Sequence, residues 1–178
     1  QAPVFFRLVA ASPEANGCFG CRGLSGRIPA AYTLLEKLFW NRVVDKQLHA
    51  PVHPYVDVSD PISEGPLAPV ELREWSKYGW TYHEKGLWIT GPSLAQPVLS
   101  PATTLIGSSN YGARSEKFDV ECSLLLTTQA PQLPDRLAYE VQEMRESART
   151  RMDTATFRSK ERRVDAVTQV LTRLLRPR

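Results

Sequence analysis

"TTLIGSSNYGARSEKFDVECSLLLTT", residues 103–128, sets two segments of strand-forming residues on either side of a stretch rich in serine, asparagine and glycine. "TTLIG" (103–107) and "DVECSLLLTT" (119–128) carry the β-branched and aliphatic residues that favour extended chain, bounded by turn formers. "LWIT" (87–90) upstream has the same character. The three predict neighbouring strands of one sheet.

Working outward, "VFFRLVAAS" (4–12) reads as a buried strand running into the Gly-rich loop "PEANGCFGCRGLSG" (13–26). A helix is predicted next, with Pro29 at its first position and Ala30, Leu34, Leu35, Leu38 and Phe39 at helical spacing. The proline-dense "HAPVHPYVDVSDPISEGPLAP" (49–69) reads as an irregular insertion. "VELREWSKYGW" (70–80) reads as a short helical stretch. Two amphipathic helices form a helical tail over about 133–176, one with Leu133, Leu137, Val141 and Met144 on one side, the other with Val164, Val167, Leu171 and Leu174. Helices around a strand-rich middle give an α/β fold, a mixed sheet flanked by helices, in one domain of 178 residues.

The formal net charge of +3 gives no argument for a nucleic-acid partner. Basic residues outnumber acidic ones from Arg145 onward, a pattern that fits either anionic lipid or a solvated helix face. The apolar runs fall short of the roughly 20 residues of a membrane-spanning helix. No signal-like run follows Gln1, so a processed or partial chain is expected. Three cysteines, Cys18, Cys21 and Cys122, cannot all pair internally, and a reducing compartment is the simpler reading.

The chemistry gathers around the three predicted strands. His83 and Lys85 in "TYHEKGLWIT" (81–90) are two residues apart, which on extended chain puts both on one side. Ser108, Ser109 and Asn110 close the second strand with neutral donors, Arg114 adds a cation, and Glu121 with Asp119 brings carboxylates to the third strand. A carboxylate buried there requires a partner. A histidine, a cation, neutral donors and an orienting carboxylate are together what a phosphoryl site needs, although HxK alone is a weak signal.

"YHEKGLW", "LIGSSNYGARS" and "FDVE" resemble the second HKD half-site of the phospholipase D superfamily. "ASPEANGCFGCRGLSGRIPAAYT" (11–33) followed by "GWTYHEKGLWI" is similar to one branch, the mitochondrial phosphatidylglycerophosphate synthases, or CDP-diacylglycerol–glycerol-3-phosphate phosphatidyltransferases. The likeness covers about residues 4–145 outside the insertion. Thr90 stands where the full motif has aspartate, and the chain holds one HxK where such enzymes hold two; neither His49 nor His53 has a lysine two positions on.

The resemblance implies a phospholipase D-like C-terminal lobe that transfers a phosphatidyl group from CDP-diacylglycerol to glycerol 3-phosphate, a step toward cardiolipin, through a phosphohistidine. It implies His83 as general acid and base, Lys85 and Asn110 on the phosphate oxygens, and Glu121 orienting His83. Ser108, Ser109 and Arg114 would be substrate-binding residues, and no cofactor or metal is required. The implied partner is a missing N-terminal HKD half or a second copy, and the implied place is peripheral on the mitochondrial inner membrane. Two alternatives stay open: a homodimeric phosphodiesterase or nuclease of the same superfamily, and a non-catalytic zinc module built on Cys18, Cys21, His49 and His53. Against the zinc module stand the long gap between the pairs and Pro51 between the histidines.

Overall fold

The computed structural model describes residues 6–44, 70–90, 101–128, 130 and 132–175; the proline-rich insertion, with His49 and His53, lies outside them. The chain divides into two compact units, Gln1–His83 with Ser147–Arg176, and Glu84–Glu146 with Pro177–Arg178.

In the first unit, strand β1 (Phe6–Ala11) runs parallel to β2 (Val70–Trp75), with Phe6 opposite Val70 and Ala11 opposite Trp75. Parallel neighbours cannot be joined by a hairpin. Helix α1 (Ile28–Phe39) lies in the connection, with a proline in its first turn as predicted, and buries Thr33 and Leu34. Past its end, Trp40 joins Val70, Leu72, Met152 and Phe157 in the core, with Ala10, Phe39 and Val43 packed against them. The Trp40 indole N–H donates to the Met152 carbonyl at 2.9 Å, so burying this ring leaves no donor orphaned. Each fully buried aliphatic or aromatic side chain contributes roughly 1.5–3 kcal/mol.

The segment 70–80, expected to be helical, instead opens with the central strand β2, buried along its whole length. Its charges are paired across the sheet. The Glu71 carboxylate lies 3.2 Å from Arg7 on β1, 2.9 Å from Arg73 two residues along, and 3.6 Å from Arg151. Arg151 belongs to the two-residue strand β6 (Thr150–Arg151), which pairs antiparallel with β2. On the other face, Arg162 clamps Glu74 with two nitrogens. Paired this way, residues that favour helices in isolation are held in the middle of a sheet. β1, expected to be a buried strand, is half exposed: Phe6 and Leu8 reach solvent because, among the described residues, β1 has a neighbour on one side only.

The predicted helical tail is interrupted. After β6, Asp153 caps the short helix α4 (Thr154–Arg158) by accepting from the Thr156 N–H at 2.6 Å. The last helix, α5 (Ala166–Leu175), is the second predicted amphipathic helix, but Val167 and Leu174 of its expected apolar side face outward, and Thr168 is the buried residue.

The second unit carries the three strands read from the sequence: β3 (Gly86–Thr90), β4 (Pro101–Gly107) and β5 (Ser123–Thr127), antiparallel in that order. Leu87, Leu105 and Leu125 stand in one cross-strand row. Trp88 lies where a Cβ on Gly86 would be, so glycine there makes room for the ring. The short helix α2 (Ala113–Lys117) sits between β4 and β5. Helix α3 (Gln132–Glu146) packs on β4, with Leu137 and Thr104 buried.

Candidate functional site

The site is built on the turn that leaves β4. Gly107 ends the strand so close to β5 that a Cβ would strike the Ser123 hydroxyl, which accounts for the glycine. Ser108 then ties the turn to the start of β5. Its N–H donates to the Cys122 carbonyl at 3.0 Å, and its hydroxyl oxygen accepts from the Cys122 N–H at 3.0 Å. The same hydroxyl donates to the Glu121 carboxylate at 2.5 Å. Ser109 accepts from the N–H of Tyr111, which takes a left-handed φ of 51°. Such a conformation costs on the order of 1–3 kcal/mol for a residue with a side chain, and strain of this kind concentrates at functional turns.

Glu121 precedes β5 rather than lying inside it, at the surface rather than buried among leucines. Its carboxyl is held below the usual carboxylate range, first by the Ser108 hydrogen bond, then by one from Ser115, and further by the positive charge of Lys85. Lys85 is fixed in turn by its carbonyl, which accepts from the Gly107 N–H at 3.3 Å. The lysine, the GSSN turn and the glutamate are thus brought together within one unit. Between histidine and lysine in the chain, Glu84 has its carboxyl raised by burial and then by the charge of Glu140.

Ser115 is the residue that sequence reasoning missed. It is buried on α2, accepts from the Asn110 N–H at 3.3 Å and has one hydroxyl proton, which it shares between Asp119 at 3.5 Å and Glu121. One hydroxyl therefore links the asparagine to both carboxylates. The only signal in the sequence was a serine five positions after the asparagine. The Arg114 side chain lies outside the described residues.

His83 and Lys85, read from the sequence as lying on extended chain ahead of the strand, fall in residues 81–85, which have no regular structure, and β3 begins at Gly86. His83 is the last residue of the first unit. It is exposed, and the residue before it is anchored twice: the Tyr82 N–H donates to the Ala15 carbonyl at 2.9 Å, and the Tyr82 ring stacks on Trp75 at 5.2 Å. Ala15 is itself held by Ser12, whose hydroxyl accepts from the Ala15 N–H. Of the aromatic residues near the motif, Trp75 is buried, while Tyr78 and Trp80 are exposed, with Lys77 over the Trp80 ring at 4.9 Å.

Among the described residues there is no cluster of three His, Cys, Asp or Glu able to hold a metal ion. Cys18 and Cys21 are free thiols within one turn, where the Cys21 N–H donates to the Cys18 carbonyl. No helix among the described residues is long and apolar enough to cross a membrane.

No family model matches the chain. It is similar to "CDP-diacylglycerol--glycerol-3-phosphate 3-phosphatidyltransferase, mitochondrial" of Bos taurus, 33% identical over 173 residues, covering 96% of this chain and 27% of that protein. A "Probable CDP-diacylglycerol--glycerol-3-phosphate 3-phosphatidyltransferase" of Dictyostelium discoideum is 37% identical over 133 residues, covering 75% of this chain and 19% of the relative. "CDP-diacylglycerol--glycerol-3-phosphate 3-phosphatidyltransferase" of Saccharomyces cerevisiae is 31% identical over 142 residues, covering 75% of this chain and 24% of the relative. The chain thus spans about a quarter of the length of these relatives. Among solved structures, phosphatidylserine synthase of Haemophilus influenzae matches with a TM-score of 0.63 at 16% identity, over 96% of this chain and 33% of that one. That match establishes a shared α/β fold.

Proposed function

We propose, on the premise that the chain belongs to the family of CDP-diacylglycerol–glycerol-3-phosphate 3-phosphatidyltransferases, that it supplies one half-site of an enzyme moving a phosphatidyl group from CDP-diacylglycerol to glycerol 3-phosphate. The observation that carries this reading is the Glu121 carboxylate, hydrogen-bonded by Ser108 and Ser115 and lowered further by Lys85, at the edge of a turn that presents Asn110. A cation and neutral donors preorganised around one turn suit the non-bridging oxygens of a phosphodiester.

In this mechanism a histidine from the other half-site attacks phosphorus. The bond to cytidine monophosphate breaks and a phosphohistidine forms. His83 gives its proton to the departing nucleotide, then takes one from the hydroxyl of glycerol 3-phosphate as that oxygen attacks phosphorus and releases the first imidazole. Lys85 and Asn110 hold the phosphoryl oxygens throughout. Ser108 and Ser109 shape the turn, Arg114 meets substrate phosphate, and Glu121 supports the protonated form of His83. The second half-site comes from the length that the relatives carry beyond this segment, or from a second copy. The lipid donor resides in a bilayer, so the enzyme works at a membrane surface. The mitochondrial names of relatives support a mitochondrial place, to which the proposal adds a peripheral position on the inner membrane.

The test is release of cytidine monophosphate from CDP-diacylglycerol, by the chain alone and by the chain supplied with the segment its relatives carry beyond it. Repeated turnover that requires glycerol 3-phosphate, with at most one equivalent of cytidine monophosphate per site released in its absence, and that falls by about 10²–10⁴-fold in His83→Ala, supports the proposal. Sustained release over many turnovers without the acceptor, or an active His83→Ala enzyme, refutes it.

A further inference from the structure

Helix α5 leaves aliphatic side chains in water, and the loop ahead of α1 leaves Phe19 and Leu24 in water too. The way α5 is held fixes which side faces out. Asp165 caps the helix, accepting from the Thr168 N–H at 3.1 Å and the Thr168 hydroxyl at 2.6 Å. Arg27, just ahead of α1, donates to Asp165 at 2.7 Å and to Thr168 at 2.9 Å. Thr168 is 1% exposed, so the inward side of α5 is the side that meets Arg27 and α1.

Val167, Val170 and Leu174 are 54%, 54% and 76% exposed. At helical periodicity they fall within about 60° of one another around the axis, with Arg173 about 60° beyond Val170 on the flank of that arc. An aliphatic stripe left in water on a surface helix marks a contact surface rather than core.

A recess of about 220 Å³ beside the start of α1 is lined by Phe19, Pro29, Val164, Arg162 and Arg163, with Glu161 as its one acidic residue, which puts the Phe19 loop next to the lead-in of α5. Phe19 and Leu24 in that loop are exposed, and so are Arg22 and Arg163. Residues 158–178 hold seven basic residues against two acidic ones. Aliphatic and aromatic tips set among arginines are the composition of a surface that lies in the headgroup boundary of an anionic bilayer. A self-association surface of the same area would bring this basic segment against itself, and like charge opposes that pairing.

We infer that the outward stripe of α5, with Phe19, Leu24 and the arginines around them, is the face by which the chain docks onto anionic lipid. The inference rests on the lipid-acting reading above and specifies where the membrane is met. Apolar side chains enter the headgroup boundary, arginines stay with the lipid phosphates, and Thr168 with Arg27 keeps the helix oriented.

The test is co-sedimentation of the 178-residue chain with phosphatidylcholine vesicles, with and without phosphatidylserine, an anionic lipid that is neither substrate nor product of the proposed reaction. The wild-type chain is expected to bind the anionic vesicles at least tenfold better than the neutral ones and to lose that advantage in high salt. Val170→Asp with Leu174→Asp is expected to reduce binding at least tenfold at an unchanged melting temperature. A second variant, Arg173→Gln, is expected to reduce it by a few-fold. Leu125→Asp, on the exposed sheet of the other unit, is expected to bind as wild type. Binding that ignores lipid charge overturns the inference. So does a double variant that binds normally, or one that loses self-association rather than vesicle binding. No turnover is involved, so failure of the transferase reading registers separately, as absent nucleotide release.

Discussion

Strands β2 and β5 invert what their compositions suggest. β2, "VELREW", is half charged and buried along its whole length, while β5, "SLLLT", carries three leucines in a row and is exposed at every position. β2 is central, with β1 on one side and β6 on the other, and each of its carboxylates meets an arginine. β5 pairs only with β4 among the described residues. Burial here follows position in the sheet and the supply of partners, with hydrophobicity second.

The strongest way to break that contrast is to remove a partner from β2. Glu74 is 1% exposed and held by Arg162. Arg162→Ala leaves that charge buried beside Glu36, and urea denaturation is expected to report a loss of about 3–5 kcal/mol. A loss below 1 kcal/mol would mean that water reaches Glu74 and that β2 is not secured by its ion pairs.

Glu36 on α1 sharpens the same point through pH. Burial, then the charge of Glu74 and a hydrogen bond to it, push its carboxyl up to about 9 from 4.5. The folded state therefore binds a proton that the unfolded state gives up above about pH 4.5. Stability is expected to fall as pH rises from about 4.5 toward 9, the whole penalty being present above 9. Glu36→Gln keeps a donor toward Glu74 without the titration. It is expected to flatten that slope and to raise stability at pH 8 by on the order of 1–3 kcal/mol, with little change at pH 4, as thermal melts across pH would read. Equal slopes in variant and wild type would place the titration elsewhere.

These particulars explain what was legible in the sequence. The three strands of the second unit announced themselves because "LWIT", "TTLIG" and "SLLLTT" carry local β propensity between turn formers, and the GSSN turn with Glu121 could be placed from its neighbours in the chain. β2 was hidden because its partners are distant: Arg7 lies 64 positions away and Arg162 lies 88. No local pattern reports a carboxylate satisfied across a sheet, so "VELREW" reads as helix. The outward stripe of α5 was hidden for a related reason. Periodicity says that a helix has an apolar side, and only the Arg27–Asp165–Thr168 clamp says which way that side faces. Ser115 was out of reach because its role depends on α2 folding back toward Asn110 and Asp119.

In the second unit the polar partners serve the candidate site rather than the core, so the parallel experiment there is read in activity. Ser115→Ala withdraws the hydroxyl that links Asn110 to Asp119 and Glu121. With the turn loosened, nucleotide release by the assembled enzyme is expected to fall about tenfold, close to 1.4 kcal/mol in the barrier, while the melting temperature moves little. Ser115→Thr, which keeps the hydroxyl, is expected to recover most of the rate. An equal defect in both variants would point to packing around α2 instead.

The smallest effect is expected at β5, where it decides whether the contrast belongs to the chain as it stands. Leu125 is 61% exposed in the row with Leu87 and Leu105. Leu125→Lys removes apolar surface that water already reaches, so stability is expected to change by less than about 0.5 kcal/mol in urea denaturation. The same lysine on an exposed strand opposes edge-to-edge pairing, so aggregation on heating is expected to decrease. A destabilisation of 2 kcal/mol or more would mean that this leucine is covered in solution, and that β5, like β2, owes its sequence to a neighbour. Were that neighbour the further length present in the relatives, the lysine would weaken the longer protein and spare this segment, and comparing the two separates a covered face from an intrinsically exposed one.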